Sequence, residues 1–286
     1  MKKIIALVDG SVYSQSVCDH AAWSARQTGM AIEVVHVLGR RDVSSQPANL
    51  SGSIGLGARS ALLEELAELD AQRAVLGQRR GRAILDDARA RINDAGVADV
   101  STRLRNGEIV ETVDELEEEA DLVVIGKRGE AADFDKLHLG SNLERVVRSS
   151  RRPVLVASRA FSPITKCLIA FDGGPSALKA IEHLANTRAL AEVDCQLLTV
   201  GVAPKGSMKR LEEAAVRLRA ADYKVETQVV GGQADVVIAQ KVENEGFGLL
   251  VMGAYGHSRI RHLIIGSTTT QMVRSCKIPI LLFRGG

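Results

Sequence analysis

The 286-residue sequence predicts an α/β protein of two tandem doubly wound domains, each an open five-stranded parallel sheet with helices on both faces. Three observations predict it. The chain repeats itself: IIALVDGSVYSQSVCDHAAWSARQTGMAIEVVHV, from Ile4 to Val37, aligns with LIAFDGGPSALKAIEHLANTRALAEVDCQLLTV, from Leu168 to Val200. In both copies an apolar run ends in Asp-Gly and a second apolar run ends in valine 28 positions after the aspartate, so Asp9 pairs with Asp172 and Val37 with Val200. Short apolar runs alternate with amphipathic segments, the signal of βαβ units. Runs such as LVVI and LLVM are continuously apolar, as strands covered on both faces must be.

Taken in order, the first copy predicts strands near 4–8, 32–37, 100–104, 122–125 and 154–157, with helices near 13–27, 59–94, 108–119 and 142–149. The second predicts strands near 167–171, 195–200, 225–230, 249–252 and 280–283, and helices near 175–188, 207–221, 234–245 and 267–275. Downstream, ADLVVIGKRG (Ala120 to Gly129) matches FGLLVMGAYG (Phe247 to Gly256), and both lead to a Gly-Ser step, Gly140-Ser141 and Gly266-Ser267. The expected division is residues 1–160 and 161–286. The copies differ in length between the valine and the glycine before the third helix: 70 residues from Val37 to Gly107 against 32 from Val200 to Gly232. The extra chain, about 40–95, reads as a flexible Ser/Gly-rich loop followed by a helical stretch interrupted at Gly77 and Gly81. Its GSIGLG follows no strand and is not read as a phosphate loop.

A net charge of +2 excludes a general affinity for nucleic acid or anionic membranes, and 3% aromatics argue against base-stacking platforms. The apolar run after Lys2-Lys3 ends at Asp9, too short for a signal-peptide core, and no segment approaches a membrane span, so cytoplasm is the expected location. Cys18, Cys167, Cys195 and Cys276 form no CxxC pair and read as small buried hydrophobes. The histidines show no metal-ligand spacing, and His36 is expected to pack or hydrogen-bond at its strand end. The acidic run DELEEEAD, Asp114 to Asp121, reads as the solvent face of a helix. With no GxSxG elbow, no GxxxxGK[ST] and no convincing catalytic base, the expectation is of no enzyme and no metal site.

Ligands of doubly wound sheets sit beyond the carboxyl ends of the strands. Asp9, Val37 and Gly126 gather there in one half; Asp172, Val200 and Gly253 do so in the other. The stretch VMGAYGHSRIRHLIIGSTTT then has what a phosphate loop needs: glycines for close approach, free amides and a helix start. His257, Arg259, Arg261 and His262 add positive charge, and Ser267 with Thr268 stands where hydroxyls cap helices. The plainer alternative is a surface loop followed by a capped helix.

The pattern Gly253-x2-Gly256-x9-Gly266-Ser267-Thr268, with Asp172-Gly173 ending the first strand and Val200 the second, resembles the ATP-binding pattern of the universal stress protein family. Both halves resemble single domains of that family over nearly their whole length. The resemblance implies sheets of order 3-2-1-4-5, pairing of the domains through their last strands, Val154–Ala157 against Ile280–Phe283, and bound ATP or AMP in some members, with magnesium accompanying ATP. By position, it places Asp172 beside the adenosine, the Val200 backbone at adenine, and Gly253, Gly256, Gly266, Ser267 and Thr268 around ribose and phosphates.

The first half departs from the pattern. Gly126-x2-Gly129-x10-Gly140-Ser141-Asn142 is one residue longer, and its loop carries Glu130, Asp133 and Asp135 against Lys127, Arg128 and Lys136. Carboxylates repel a triphosphate unless a metal intervenes, and a solvated loop is favoured over an Asp133 and Asp135 magnesium site. Asp9, Gly10, Val37, Gly126, Gly129, Gly140, Ser141 and Asn142 thus form the weaker second site. The expected function is a nucleotide-responsive stress regulator with adenine nucleotide mainly in the C-terminal half. Two alternatives stay open: a ligand-independent interaction module using the insertion, and a slow ATP hydrolase. Whether two chains associate is open at this level.

Overall fold

A computed structural model describes residues 3–39, 56–129, 141–201, 207–254 and 267–285. The first half runs β1 (Lys3–Leu7), α1 (Val12–Thr28), β2 (Ala31–Leu38), α2 (Leu56–Asp94), β3 (Val100–Asn106), α3 (Ile109–Leu116), a 3-10 turn (Glu117–Glu119), β4 (Ala120–Gly126), α4 (Ser141–Ser149) and β5 (Val154–Ala157). The second runs β6 (Lys166–Ala170), α5 (Pro175–Thr187), β7 (Asp194–Val200), α6 (Ser207–Arg219), β8 (Val225–Val230), α7 (Ala234–Asn244), β9 (Leu249–Gly253), α8 (Ser267–Ser275) and β10 (Ile280–Phe283).

The strands form one continuous ten-stranded sheet in the order β3-β2-β1-β4-β5-β10-β9-β6-β7-β8. Each half has the expected order 3-2-1-4-5 and is parallel throughout. The halves meet where β5 and β10 pair antiparallel, with Leu155 opposite Leu281 and Val156 opposite Ile280. That pairing gives each strand a ladder partner that it would lack as an edge. Strand side chains alternate between two apolar layers. Ile4, Ala6, Leu155, Ile169, Leu281 and Phe283 belong to one, which α1, α2, α5 and α6 cover; Ile5, Leu7, Val154, Val156, Leu250 and Leu282 belong to the other, under α3, α4, α7 and α8.

Cations also cross the seam, two of them at helix ends. Lys127 Nζ donates to the Cys276 carbonyl at 2.6 Å, at the end of α8, and Arg284 Nη1 donates to the Arg148 and Ser149 carbonyls at 2.8 and 2.9 Å, at the end of α4. Each meets the carbonyl-rich, negative end of a helix from the opposite half. Burial lowers the Lys127 pKa from its ordinary 10.5.

Two sequence expectations are corrected. Helix α2 is not interrupted at Gly77 and Gly81; it is continuous over 39 residues. The cost of about 1 kcal/mol per helical glycine is offset by burial of Leu85, Ala88 and Ile92 one to three turns later. Gly81 is also a packing requirement, because a Cβ there would lie 2.7 Å from Leu104 Cδ1 and 3.0 Å from His36 Cδ2. The acidic run 114–121 is not one solvent face: Glu117 and Asp121 are buried, and the Glu117 carboxylate accepts the Arg151 amide at 3.0 Å and the Ser150 hydroxyl. It anchors the turn between α4 and β5. The four cysteines are free and buried, and the segment containing GSIGLG lies outside the described residues.

Buried His20 on α1 donates from Nδ1 to the Ser16 carbonyl at 2.7 Å, packs edge-on against Phe161, and has no partner at Nε2 among the described residues. Burial holds its pKa below the ordinary 6.5, so as pH falls below 6.5 the unfolded chain takes up the proton first and stability is lost. Melting temperature is therefore expected to fall with pH in this window, and His20→Met is expected to flatten the profile. Parallel profiles for the two proteins would contradict this assignment.

Candidate functional site

The duplication is preserved down to the corner after the first strand of each half. Gly10 and Gly173 turn the chain with φ of +78° and +73°, a left-handed conformation that side chains disfavour. Each preceding carboxylate folds back on the amide two residues on: Asp9 Oδ1 accepts from Ser11 at 3.0 Å and Asp172 Oδ1 from Gly174 at 2.8 Å. The second strand is tied to the same corner. His36 Nδ1 donates to the Val8 carbonyl at 2.7 Å, and Thr199 Oγ1 donates to the Phe171 carbonyl at 2.9 Å. Val37 and Val200 follow these residues, so both valines are held beside their aspartate corner.

Gly126 and Gly253 end the fourth strands with no room for a side chain. A Cβ on Gly126 would lie 2.8 Å from Tyr13 Cβ, and one on Gly253 would lie 2.8 Å from Ser176 Cβ. Glycine lets α1 and α5 start directly beneath the strand ends. Gly253→Val is therefore expected to lower stability by about 1–3 kcal/mol through overpacking, read as a shifted denaturant midpoint. Helix α8 starts at Ser267, and its buried Thr269 donates to the Gly253 carbonyl at 3.1 Å, a tie that sequence reasoning missed although Thr269 stands in the hydroxyl run Ser267 to Thr270. Its counterpart in the first half is buried Leu143. Hydrogen bonds and close packing thus connect Asp172, Gly173, Val200 and Gly253 with Thr269 at one end of the sheet, and Ser267 and Thr268 precede Thr269 on the first turn of α8. Gly256, Gly266 and the histidines and arginines between them lie outside the described residues, as do Gly140 and the acidic stretch from Glu130. Ser141 opens α4, and Asn142 is exposed on it.

The two corners differ in what lies over the glycine. Buried Leu211, Ala214 and Leu218 on α6 match Leu85, Ala88 and Ile92 on α2, so Arg210 and Ile84 occupy equivalent positions. In the second half a Cβ on Gly173 would meet the Arg210 guanidinium, with Nε at 3.5 Å; in the first, a Cβ on Gly10 would meet Ile84 Cδ1 at 2.7 Å, with Arg80 Nη2 farther off at 3.9 Å. Helix α6 begins at Ser207, one turn before Arg210, so its amide-bearing end opens beside the corner. Helix α2 runs on through the equivalent place, packing Gly81 on His36.

Asp9 is also more tightly held than Asp172, because it accepts a second bond from Ser14 Oγ at 3.2 Å and because a Cβ on Gly129 would lie 2.9 Å from its Oδ2. Lys127, which the sequence assigned to the first loop's positive charge, points instead into the seam. Among the described residues no cluster of three or more His, Cys, Asp or Glu side chains could hold a metal ion, and no helix is long and apolar enough to cross a membrane.

The fold agrees with comparison to known proteins. The model of the "Universal stress protein family" matches residues 1–158 and 202–284. The chain belongs to the universal stress protein family. A universal stress protein of Synechocystis, Slr1230, is 38% identical over 99% of this chain and 100% of its own length. A Mycobacterium tuberculosis universal stress protein, MT2052, is 24% identical over 98% of this chain and 94% of its own. Among solved structures, a universal stress protein from Archaeoglobus fulgidus superposes with a TM-score of 0.72 at 19% identity, covering 99% of this chain and 96% of that one. At that identity the last comparison speaks for the fold. This universal stress protein therefore carries two copies of the fold in one chain, fused edge to edge through β5 and β10.

Proposed function

We propose that this universal stress protein is a cytoplasmic, nucleotide-responsive regulator that binds ATP or a related adenine nucleotide mainly in its second half, with the first half the weaker site. One observation carries the asymmetry: an exposed arginine, Arg210, stands directly over the Asp-Gly corner in the second half, whereas in the first Ile84 takes that position at 2.7 Å and the nearest guanidinium, Arg80, stands behind it at 3.9 Å. In this reading Asp172 faces the ribose, the backbone at Val200 reads adenine, and Gly253, Gly256, Gly266, Ser267 and Thr268 surround the ribose and phosphates. Arg210 and the start of α6 favour an anion at Gly173. Magnesium would enter with ATP, held by its phosphates rather than by a protein cage. The proposed role is binding and not turnover, because DGSVYS and DGGPSA lack the SGGxDS phosphate loop of related hydrolases.

Equilibrium dialysis with labelled ATP tests this reading. Arg210→Ala is expected to weaken ATP binding about tenfold, the lower range for a charge-assisted contact, while Ile84→Ala leaves it unchanged. Wild-type affinity in Arg210→Ala would remove the arginine from the site. A ligand-independent interaction role is the second reading, favoured by one feature, the solvent-exposed length of α2.

A further inference from the structure

Helix α2 is longer than the fold requires. Its residues from Gly81 to Asp94 pack on the sheet through Leu85, Ala88 and Ile92, whereas residues 62–80 stand almost wholly exposed. That projecting stretch is nevertheless rich in leucine: Leu62, Leu69 and Leu76 are 40%, 48% and 62% exposed. Of eleven exposed large apolar side chains among the described residues, five fall between Leu62 and Leu76, a concentration that scattered surface residues do not produce. Leu62, Leu66, Leu69 and Leu76 follow steps of four, three and seven, so they share one stripe, turned roughly 100° from the side that carries Leu85, Ala88 and Ile92. Arg73 takes the next seam position, where its aliphatic stem can cover leucine, while Arg80, one heptad on, turns its guanidinium to the Gly10 corner and marks the end of the free stripe.

The charges along this stretch identify its occupant. Residues 64–70 carry Glu64, Glu65, Glu68 and Asp70 and no cation; residues 73–82 carry Arg73, Arg79, Arg80 and Arg82 and no anion. A second identical helix laid parallel would oppose like charges. Laid antiparallel, it sets each acidic block against a basic one and each leucine stripe against the other. We propose that residues 62–80 form an antiparallel two-helix seam with the same segment of a second copy of this chain, an interface separate from the β5 and β10 pairing within the chain.

In this seam Leu66 of each copy packs beside Leu76 of the other, and Glu65 lies beside Arg79. The interface is two-fold symmetric, so every contact occurs twice and the assembly closes as a dimer. Because the helix is continuous with the packed turns after Gly81, pairing does not have to nucleate it.

Sedimentation velocity of the full chain from low micromolar to several hundred micromolar tests the proposal. The mass should rise to that of two chains, and the double variant Leu69→Glu with Leu76→Glu should stay monomeric at every concentration. Glu65→Arg alone and Arg79→Glu alone should each weaken the dimer about tenfold, since both copies of an exposed ion pair are lost. The combination of the two should return it to within about twofold of wild type. Should the leucine variant lose helicity by circular dichroism, the charge set decides alone. A monomer throughout, a dimer indifferent to the leucine changes in a folded variant, or no recovery in the combined charge variant would each overturn the seam.

Discussion

Asp172→Ala is expected to weaken ATP binding by about 10- to 100-fold, the range for losing a hydrogen bond to a charged group at about 1.5–3 kcal/mol. Two losses combine. The carboxylate proposed to face the ribose is gone, and the Gly174 amide loses the acceptor that holds it at 2.8 Å, so the corner itself relaxes. Asp172→Asn separates these effects, because an amide oxygen can still accept from Gly174. Its binding should be weakened with little change in melting temperature, whereas the alanine variant should lose both. Gly266→Glu should abolish binding outright, since it places an anion in the predicted phosphate loop. Unchanged dialysis isotherms for Asp172→Ala and Gly266→Glu together would sink the site.

The largest stability effect is expected at the seam between the halves. Leu155 is fully buried, stands opposite Leu281 across the one antiparallel pairing of the sheet, and shares an apolar layer with side chains from both halves. Leu155→Ala removes three carbons from the centre of that layer, and destabilisation of about 2–5 kcal/mol is expected by denaturant titration. Leu281→Ala, at 7% exposure, should cost less. The double variant should fall short of the sum, because the second truncation opens into a cavity that the first has already made. Additive losses would mean that the two side chains do not share one packing site.

Much of the fold was legible because the chain supplies its own comparison. Every strand and helix expected from the two copies is present, with ends shifted by at most three residues. Pairing of Val154–Ala157 with Ile280–Phe283, which the family resemblance implied, is present. What was not legible depended on tertiary context. Gly77 and Gly81 looked like breaks because propensity penalises helical glycine, while the packing of Gly81 on His36 and Leu104 is invisible in one dimension. Glu117 sat inside an acidic run whose average suggested solvent, yet its carboxylate is needed by the Arg151 amide.

At the site, the aspartates, valines and strand-end glycines stood out by position. Arg210 and Ile84 did not, because their equivalence rests on helix packing and not on motif spacing. Lys127 was assigned to the wrong neighbour for a related reason: a side chain's sequence position does not tell which of two halves it will meet.

The count of nucleotides bound per chain tests the central asymmetry most directly. Isothermal titration of ATP into the full protein is predicted to give one tight site per chain, weakened in Asp172→Ala and kept in Asp9→Ala. Two equally tight sites per chain, no site at all, or a single tight site that disappears with Asp9→Ala would contradict the account.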